Sequence, residues 1–170
     1  FHPSRALWEW CAETRVPLIY ASSAATYGDG AQGFEDGFDP DHLANLRPMN
    51  GYGWSKHLFD RWVARRDRES EAAPPHWAGL KFFNVYGPNE YHKGGQASVV
   101  WHLFQQVRRG DPARLFKSHR PDYADGEQMR DFVYVDDCVD VVLACLDGRV
   151  GRGLFNVGTG RARTFLDLAR

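Results

Sequence analysis

The chain has 170 residues, a net charge of −1 and 43% hydrophobic residues. That length and composition suit a folded domain with its own core and exclude a disordered chain. The near-neutral balance offers no electrostatic basis for binding nucleic acid or an anionic membrane, and no apolar run reaches membrane-spanning length.

Residues 3–14 are predicted helical, with Leu7, Trp8, Trp10 and Cys11 forming a broad apolar stripe. Residues 16–21 make a nearly continuous apolar run, the pattern of a strand covered on both faces. That run ends in Ser22, Ser23 and Thr26, small polar side chains that suit an end facing a ligand. The polar stretch 28–48, rich in Gly and Asp, reads as a long loop. A strong helix is expected over 50–66, a strand over 77–85, a loop over 86–95 and a helix over 97–109. Leu115-Phe116 suggests a short strand, 119–129 a charged loop and 132–135 another extended run. Asp136 reads as the N-cap of a helix that Gly148 ends; a strand follows at 154–157, and Thr164 opens a last helix. Strands alternating with helices in this way indicate an α/β fold, part of a doubly wound, Rossmann-type parallel sheet. Ligands of such sheets bind at the carboxyl ends of the strands, and Ser22-Ser23 lies at one of them. Cys11, Cys138 and Cys145 lack metal-ligand or disulfide spacing and read as reduced, buried thiols; no metal site is expected.

The helix expected over 50–66 carries Tyr52-Gly53-Trp54-Ser55-Lys56. Residues four apart stand one turn from each other on a helix face. An ammonium beside a phenol favours the phenolate, which makes Tyr52 a candidate proton shuttle. Lys56 is also suited to hydrogen-bond the ribose of a nicotinamide cofactor, and Ser23 to hold the reacting oxygen against Tyr52. A core tyrosine beside a solvated lysine gives the same spacing, so the pair gains weight from the strand-end serines that precede it.

The stretches "YASSAATYG", "LRPMNGYGWSKHLFDRWV", "GLKFFNVYGPNEYHKGGQASVVWH", "RDFVYVDD" and "FNVGTGRARTF" resemble the extended short-chain dehydrogenase/reductase family. Within it they are similar to the ADP-glyceromanno-heptose 6-epimerases, and "NVYGPNEYHKG" is the most specific of them. The resemblance implies a bacterial, cytoplasmic, self-associating enzyme of lipopolysaccharide core synthesis that uses NADP, or NAD. Its substrate would be a nucleotide-activated heptose, ADP-D-glycero-D-manno-heptose, converted to the L-glycero form. Hydride leaves C6″, a transient ketone forms, and hydride returns to the opposite face. Two acid/base residues then serve the two faces, Tyr52 and Lys93, with Ser23 assisting and Lys56 orienting the cofactor. Val85 and Lys93 match cofactor contacts. Asn84, Gly95, His102, Phe116, Lys117, Ser118, His119 and Arg130 match positions that hold the sugar nucleotide. A guanidinium fork at Arg130 suits a diphosphate, although a salt bridge to Asp131 fits its position equally well.

The same resemblance implies that 1–87 form the second half of a dinucleotide-binding domain. Residues 88–131 would belong to a smaller substrate-binding domain, 132–157 return to the first, and 158–170 begin a further substrate-domain element. The chain opens without Met and contains no Gly-x-x-Gly-x-x-Gly fingerprint, so it is expected to be an internal piece of a longer protein, inactive by itself. The loops at 28–46 and 119–129 are long for the family. A sugar 4,6-dehydratase would need an acid and a base where Ala24 and Ala25 stand. Other NAD(P)-dependent sugar-nucleotide epimerases or reductases keep Ser, Tyr and Lys without needing Lys93. A non-catalytic cofactor binder would be expected to lose Tyr52 or Lys56.

Overall fold

The computed structural model describes residues 1–69, 72–119 and 121–170; position 120, inside the loop expected over 119–129, lies outside the described residues. In chain order the first elements are α1 (His2–Thr14), β1 (Leu18–Ser23), α2 (Pro40–Asn45), α3 (Gly51–Arg68), β2 (Trp77–Phe82) and β3 (Asn84–Tyr86). They are followed by α4 (Val99–Arg108), β4 (Met129–Tyr134), α5 (Val135–Leu146), β5 (Gly153–Val157), β6 (Ala162–Thr164) and α6 (Phe165–Ala169). The chain divides into two units, Phe1–Phe82 with Asp140–Val157, and Phe83–Val139 with Gly158–Arg170.

In the first unit β1, β2 and β5 form a parallel sheet in that order, as the apolar runs and intervening helices imply. Trp8 of α1 is fully buried, edge-on to Trp62 of α3 at 5.9 Å between ring centroids and tilted against Trp77 of β2 at 5.4 Å. Buried large side chains of this kind each contribute on the order of 3 kcal/mol. Their packing sets α1 and α3 against the sheet.

The start of α3 is fixed by Asn50, whose side-chain oxygen accepts a hydrogen bond from the Gly53 amide at 2.8 Å. Gly53 permits close packing there, because a Cβ would stand 2.7 Å from the Ala25 carbonyl oxygen and 3.0 Å from Pro48 Cβ. Gly53→Ala is therefore expected to lower the unfolding free energy by about 1–3 kcal/mol. Gly51→Ala, where a Cβ meets nothing within 4 Å, is the neutral control in the same urea titration.

The stretch 28–48 is not all loop. Asp39 accepts hydrogen bonds from the amides of Asp41 and His42 and caps α2, with Pro40 in its first turn. This Asp-Pro start signal lies inside a stretch whose polarity reads as loop. The preceding segment is tied to β5: Asn156 donates through its backbone amide to Asp36 and through its side chain to the Phe34 carbonyl. Tyr27 completes the tie, its hydroxyl bonding the Glu35 carbonyl and Asn156 Oδ1.

The run 77–85, expected as one strand, is two. The Val85 amide bonds the Phe83 carbonyl at 3.1 Å, a tight turn that ends β2 and starts β3. In the second unit β3 pairs in parallel with β4, and β4 pairs antiparallel with β6. Leu115-Phe116 is not a strand; the Phe116 carbonyl takes the Gly126 amide, and its ring stacks obliquely on Phe165 at 5.3 Å. Nor does Asp136 cap α5: that helix starts at Val135, which puts Asp136 and Asp137 in its first turn, where carboxylates complement the helix dipole. Thr164 caps α6 through a reciprocal capping box with Asp167. All three cysteines are free and buried, and burial pushes each thiol up from its ordinary pKa.

Candidate active site

β1 delivers its hydroxyls at its carboxyl end. Ser23, 8% exposed, has extended backbone, and its Oγ accepts the Ala25 amide at 3.1 Å, opening the 3-10 turn Ala24–Tyr27. A hydroxyl that accepts in this way keeps its own proton to donate. On α3, Tyr52 is 57% exposed, and Lys56 Nζ stands 5.9 Å from the centroid of its ring, on the same helix face. Lys56 Nζ also donates to the Ala21 carbonyl at 2.9 Å, so the ammonium is held at the strand end beside the serines. One of its three donors is thereby used and two stay available.

Sequence reasoning missed a polar layer beneath this arrangement. Asp60, one turn beyond Lys56, is fully buried and accepts from Ser22 Oγ at 2.6 Å and from the Tyr20 hydroxyl at 3.1 Å. Burial raises its carboxyl from 3.8 to about 6, against the lowering effects of Ser22, Lys81, Tyr20 and Lys56. Lys81 of β2 is buried as well, its Nζ 4.2 Å from the Tyr27 ring centroid, and desolvation lowers its pKa. His57 is buried with both ring nitrogens unbonded, and desolvation, with help from Arg61, Lys81 and Arg47, lowers its pKa to about 4. The available signal was the spacing: Asp60 follows Lys56 by four residues and so shares its helix face.

In the second unit Lys93 is exposed and precedes the 3-10 turn Gly94–Gln96, its Nζ 3.7 Å from Glu90. Glu90 is buried and accepts from the Ser98 hydroxyl at 2.6 Å, the Ser98 amide at 2.7 Å and the Gly87 amide at 3.3 Å. Burial is the largest influence on its carboxyl and pushes it up. The bonds from Ser98 and Gly87, with the Lys93 charge, outweigh that and leave it below its ordinary value. An ionised Glu90 thus fastens the turn that displays Lys93. Asn84, at the start of β3, and Gly95 are exposed; Val85 and His102 are half-buried.

The structure brings part of the expected sugar-nucleotide set together. The Phe165 ring is shared by Phe116 and by the Arg130 guanidinium, 5.9 Å from its centroid. Gln128 donates to the Lys117 carbonyl at 3.1 Å, and the Ser118 amide to Asp125 at 2.7 Å, which lays 116–118 beside the start of β4. His119 is exposed. Asp131 does not pair with Arg130: it accepts from the amide and hydroxyl of Thr159 and the amide of Gly160, leaving the guanidinium bonded to the Met129 carbonyl. Among the described residues no hydrogen bond or ion pair joins Gly95 or His102 to this strip. Among the described residues no group of three or more His, Cys, Asp or Glu could hold a metal ion, and no helix is long and apolar enough to cross a membrane.

The sequence profile of the NAD dependent epimerase/dehydratase family matches residues 1–158. The chain is 48% identical over 169 residues, 99% of its length and 50% of the relative's, to an ADP-L-glycero-D-manno-heptose-6-epimerase of Fusobacterium nucleatum. The crystal structure of the enzyme of that name from Helicobacter pylori superposes on 94% of the chain and 45% of its own, with a TM-score of 0.72 and 30% identity. A Thermus thermophilus UDP-glucose 4-epimerase solved with NAD gives a TM-score of 0.70 at 29% identity, over 95% of this chain and 49% of that one. The chain spans about half the length of the curated relatives it matches.

Proposed function

The chain belongs to the NAD dependent epimerase/dehydratase family, and from that premise we propose that its protein interconverts the two C6″ epimers of ADP-glycero-manno-heptose with a nicotinamide cofactor, NADP in preference to NAD. The observation that carries this reading is the Lys56 ammonium on the face of α3 that presents Tyr52, 5.9 Å from its ring. The 48% identity with the Fusobacterium heptose epimerase supports the choice of sugar.

The residues present fit a nicotinamide nucleotide: Lys56 has two donors left for ribose hydroxyls once the Ala21 carbonyl has taken one. Val85 and Lys93 are the other proposed contacts. When bound, the nicotinamide supplies the acceptor and then the donor of hydride. Tyr52 takes the proton of the C6″ hydroxyl as the C–H pair leaves, and the alcohol becomes a ketone. Ser23 donates its free hydroxyl proton to the ketone oxygen and holds it in place. With the carbonyl's other face presented, Lys93 would supply the proton to the oxygen, and proton exchange with solvent would return Tyr52 and Lys93 to their starting states. One fixed base reaches one face well, and a second donor removes that restriction. Asn84, Gly95, His102, the strip 116–119 and Arg130 bind the sugar nucleotide in this reading, with Arg130 on the diphosphate. In this reading the first unit carries Ser23, Tyr52 and Lys56, and the second carries Val85, Lys93 and the sugar-nucleotide contacts. In this reading the protein is a homo-oligomer of the bacterial cytoplasm.

The test is incubation of the intact enzyme with ADP-D-glycero-D-manno-heptose, followed by proton NMR. The L-glycero epimer should accumulate to an equilibrium mixture without net consumption of added cofactor. An unchanged substrate spectrum, alongside turnover of a UDP-hexose, would replace the reading with a hexose 4-epimerase.

A further inference from the structure

Three successive residues of β1, immediately before Ser23, are gripped from α3. The Tyr20 hydroxyl and Ser22 Oγ both donate to the Asp60 carboxylate, at 3.1 and 2.6 Å, and the Ala21 carbonyl between them accepts from Lys56 at 2.9 Å. Side chains two apart on a strand share a face, so Tyr20 and Ser22 present one pair of donors to one carboxylate. Lys56 and Asp60 lie one helical turn apart, and Tyr52 one turn before them. The latch therefore joins the element that carries Ser23 to the element that carries Tyr52 and Lys56.

We propose that Asp60 is a positioning residue for proton transfer, its carboxylate locking α3 onto the end of β1 and so fixing where Tyr52 and Lys56 stand relative to Ser23. The proposal rests on the reading of those three residues as the reacting set. The titratable groups around Asp60 are Tyr20 from β1, Tyr27 from the 3-10 turn that follows it, Lys81 from β2 and Lys56 from α3. From α1, Ser4 and Leu7 line, with Asp60 and Lys56, a pocket of about 290 Å³.

The sign of the pH effect follows from its carboxyl, raised by burial to about 6. Above that pH the carboxylate accepts both hydrogen bonds; as pH falls through it the group takes a proton and the ionic bonds are lost. A raised carboxyl also means that its charge costs the folded state stability above about pH 6, and that this cost disappears on acidification. A charge retained at such a cost is placed for what it does to its neighbours.

The test uses the intact holoenzyme and two readouts between pH 4.5 and 8.5. The first is kcat for epimer interconversion. It should fall on the acid side near pH 6, where Asp60 titrates. Ser22→Ala removes a bond that favours the charged form, so the acid limb should move to higher pH by about half a unit or more. Asp60→Asn should lower kcat about tenfold at pH 8 with KM unchanged, and should lose that limb. The second readout, free of substrate, is the Lys56 amine resonance in ¹⁵N-lysine-labelled holoenzyme. It should report the same titration and the same upward displacement in Ser22→Ala. An acid limb and an Asp60 titration read at Lys56 that are both unmoved in Ser22→Ala, or wild-type kcat in Asp60→Asn, would overturn the assignment. Failure of Asp60→Asn to fold leaves Ser22→Ala to decide. No turnover of the heptose substrate by any form counts against the proposed activity, while the Lys56 spectra still judge Asp60.

Discussion

Replacing Tyr52 with Phe in the intact enzyme is expected to lower kcat for the proposed epimer interconversion by about 1,000-fold and to leave cofactor binding in place. The change removes one oxygen from a ring that is 57% exposed, so it opens no cavity and unpacks no core. Ring and helix stay, and with them the Lys56 position, which is set by the Ala21 carbonyl and not by the phenol. What is lost, in the proposed mechanism, is the group that receives the substrate proton. Lys56 cannot replace it, because an ammonium is already fully protonated and donates only. The measurements are kcat by NMR and cofactor retention by absorbance of the purified variant. A Tyr52→Phe enzyme within tenfold of its parent would remove Tyr52 from the chemistry.

Lys93→Ala is expected to slow interconversion by about 100-fold or more while the melting temperature stays within a few degrees. The reason for the second expectation is local. Glu90 keeps its three bonds from Ser98 and Gly87 when the lysine is gone, so the turn that displays position 93 keeps its anchor. The 3.7 Å pair that disappears is exposed on the lysine side and holds little stability. The variant should still oxidise substrate in a single turnover, because the proposed mechanism assigns that half-reaction to Tyr52, and should fail to deliver the opposite epimer. Wild-type interconversion in Lys93→Ala would leave a mechanism in which one residue protonates both faces.

Much of the fold was legible because periodicity reports burial. α1 falls where the stripe placed it, but only Trp8 and Cys11 of that stripe are buried, Leu7 and Trp10 being exposed; β1 runs over Leu18–Ser23, two residues later than the expected 16–21, with Ala21 exposed. The misreadings have a common cause, local chemistry that outweighs average composition. A polar stretch hid α2 because one Asp-Pro start is a signal of two residues in twenty. A strand-like run over 77–85 hid the break at Phe83, since the turn is made by backbone groups that every residue has. The Tyr52–Lys56 face was readable from spacing alone, because a helix fixes neighbours four apart. The layer beneath it was not. Asp60 looks in sequence like any solvated helix carboxylate, and only the fold brings Tyr20, Ser22 and Lys81 to it from two strands. The role of Asp131 was equally closed to sequence reasoning, since its partners, Thr159 and Gly160, lie 28 and 29 residues away.

The tie between Asn156 and residues 34–36 bears on how such a protein can diverge. A span fastened at its middle is two small arches, and the entropy of closing each rises only with the logarithm of its length. Residues can be gained or lost in either arch at slight thermodynamic consequence, while the fastening point keeps the change from reaching the strand tips. Evolution can therefore revise the rim of this molecule without disturbing the carboxyl end of β1.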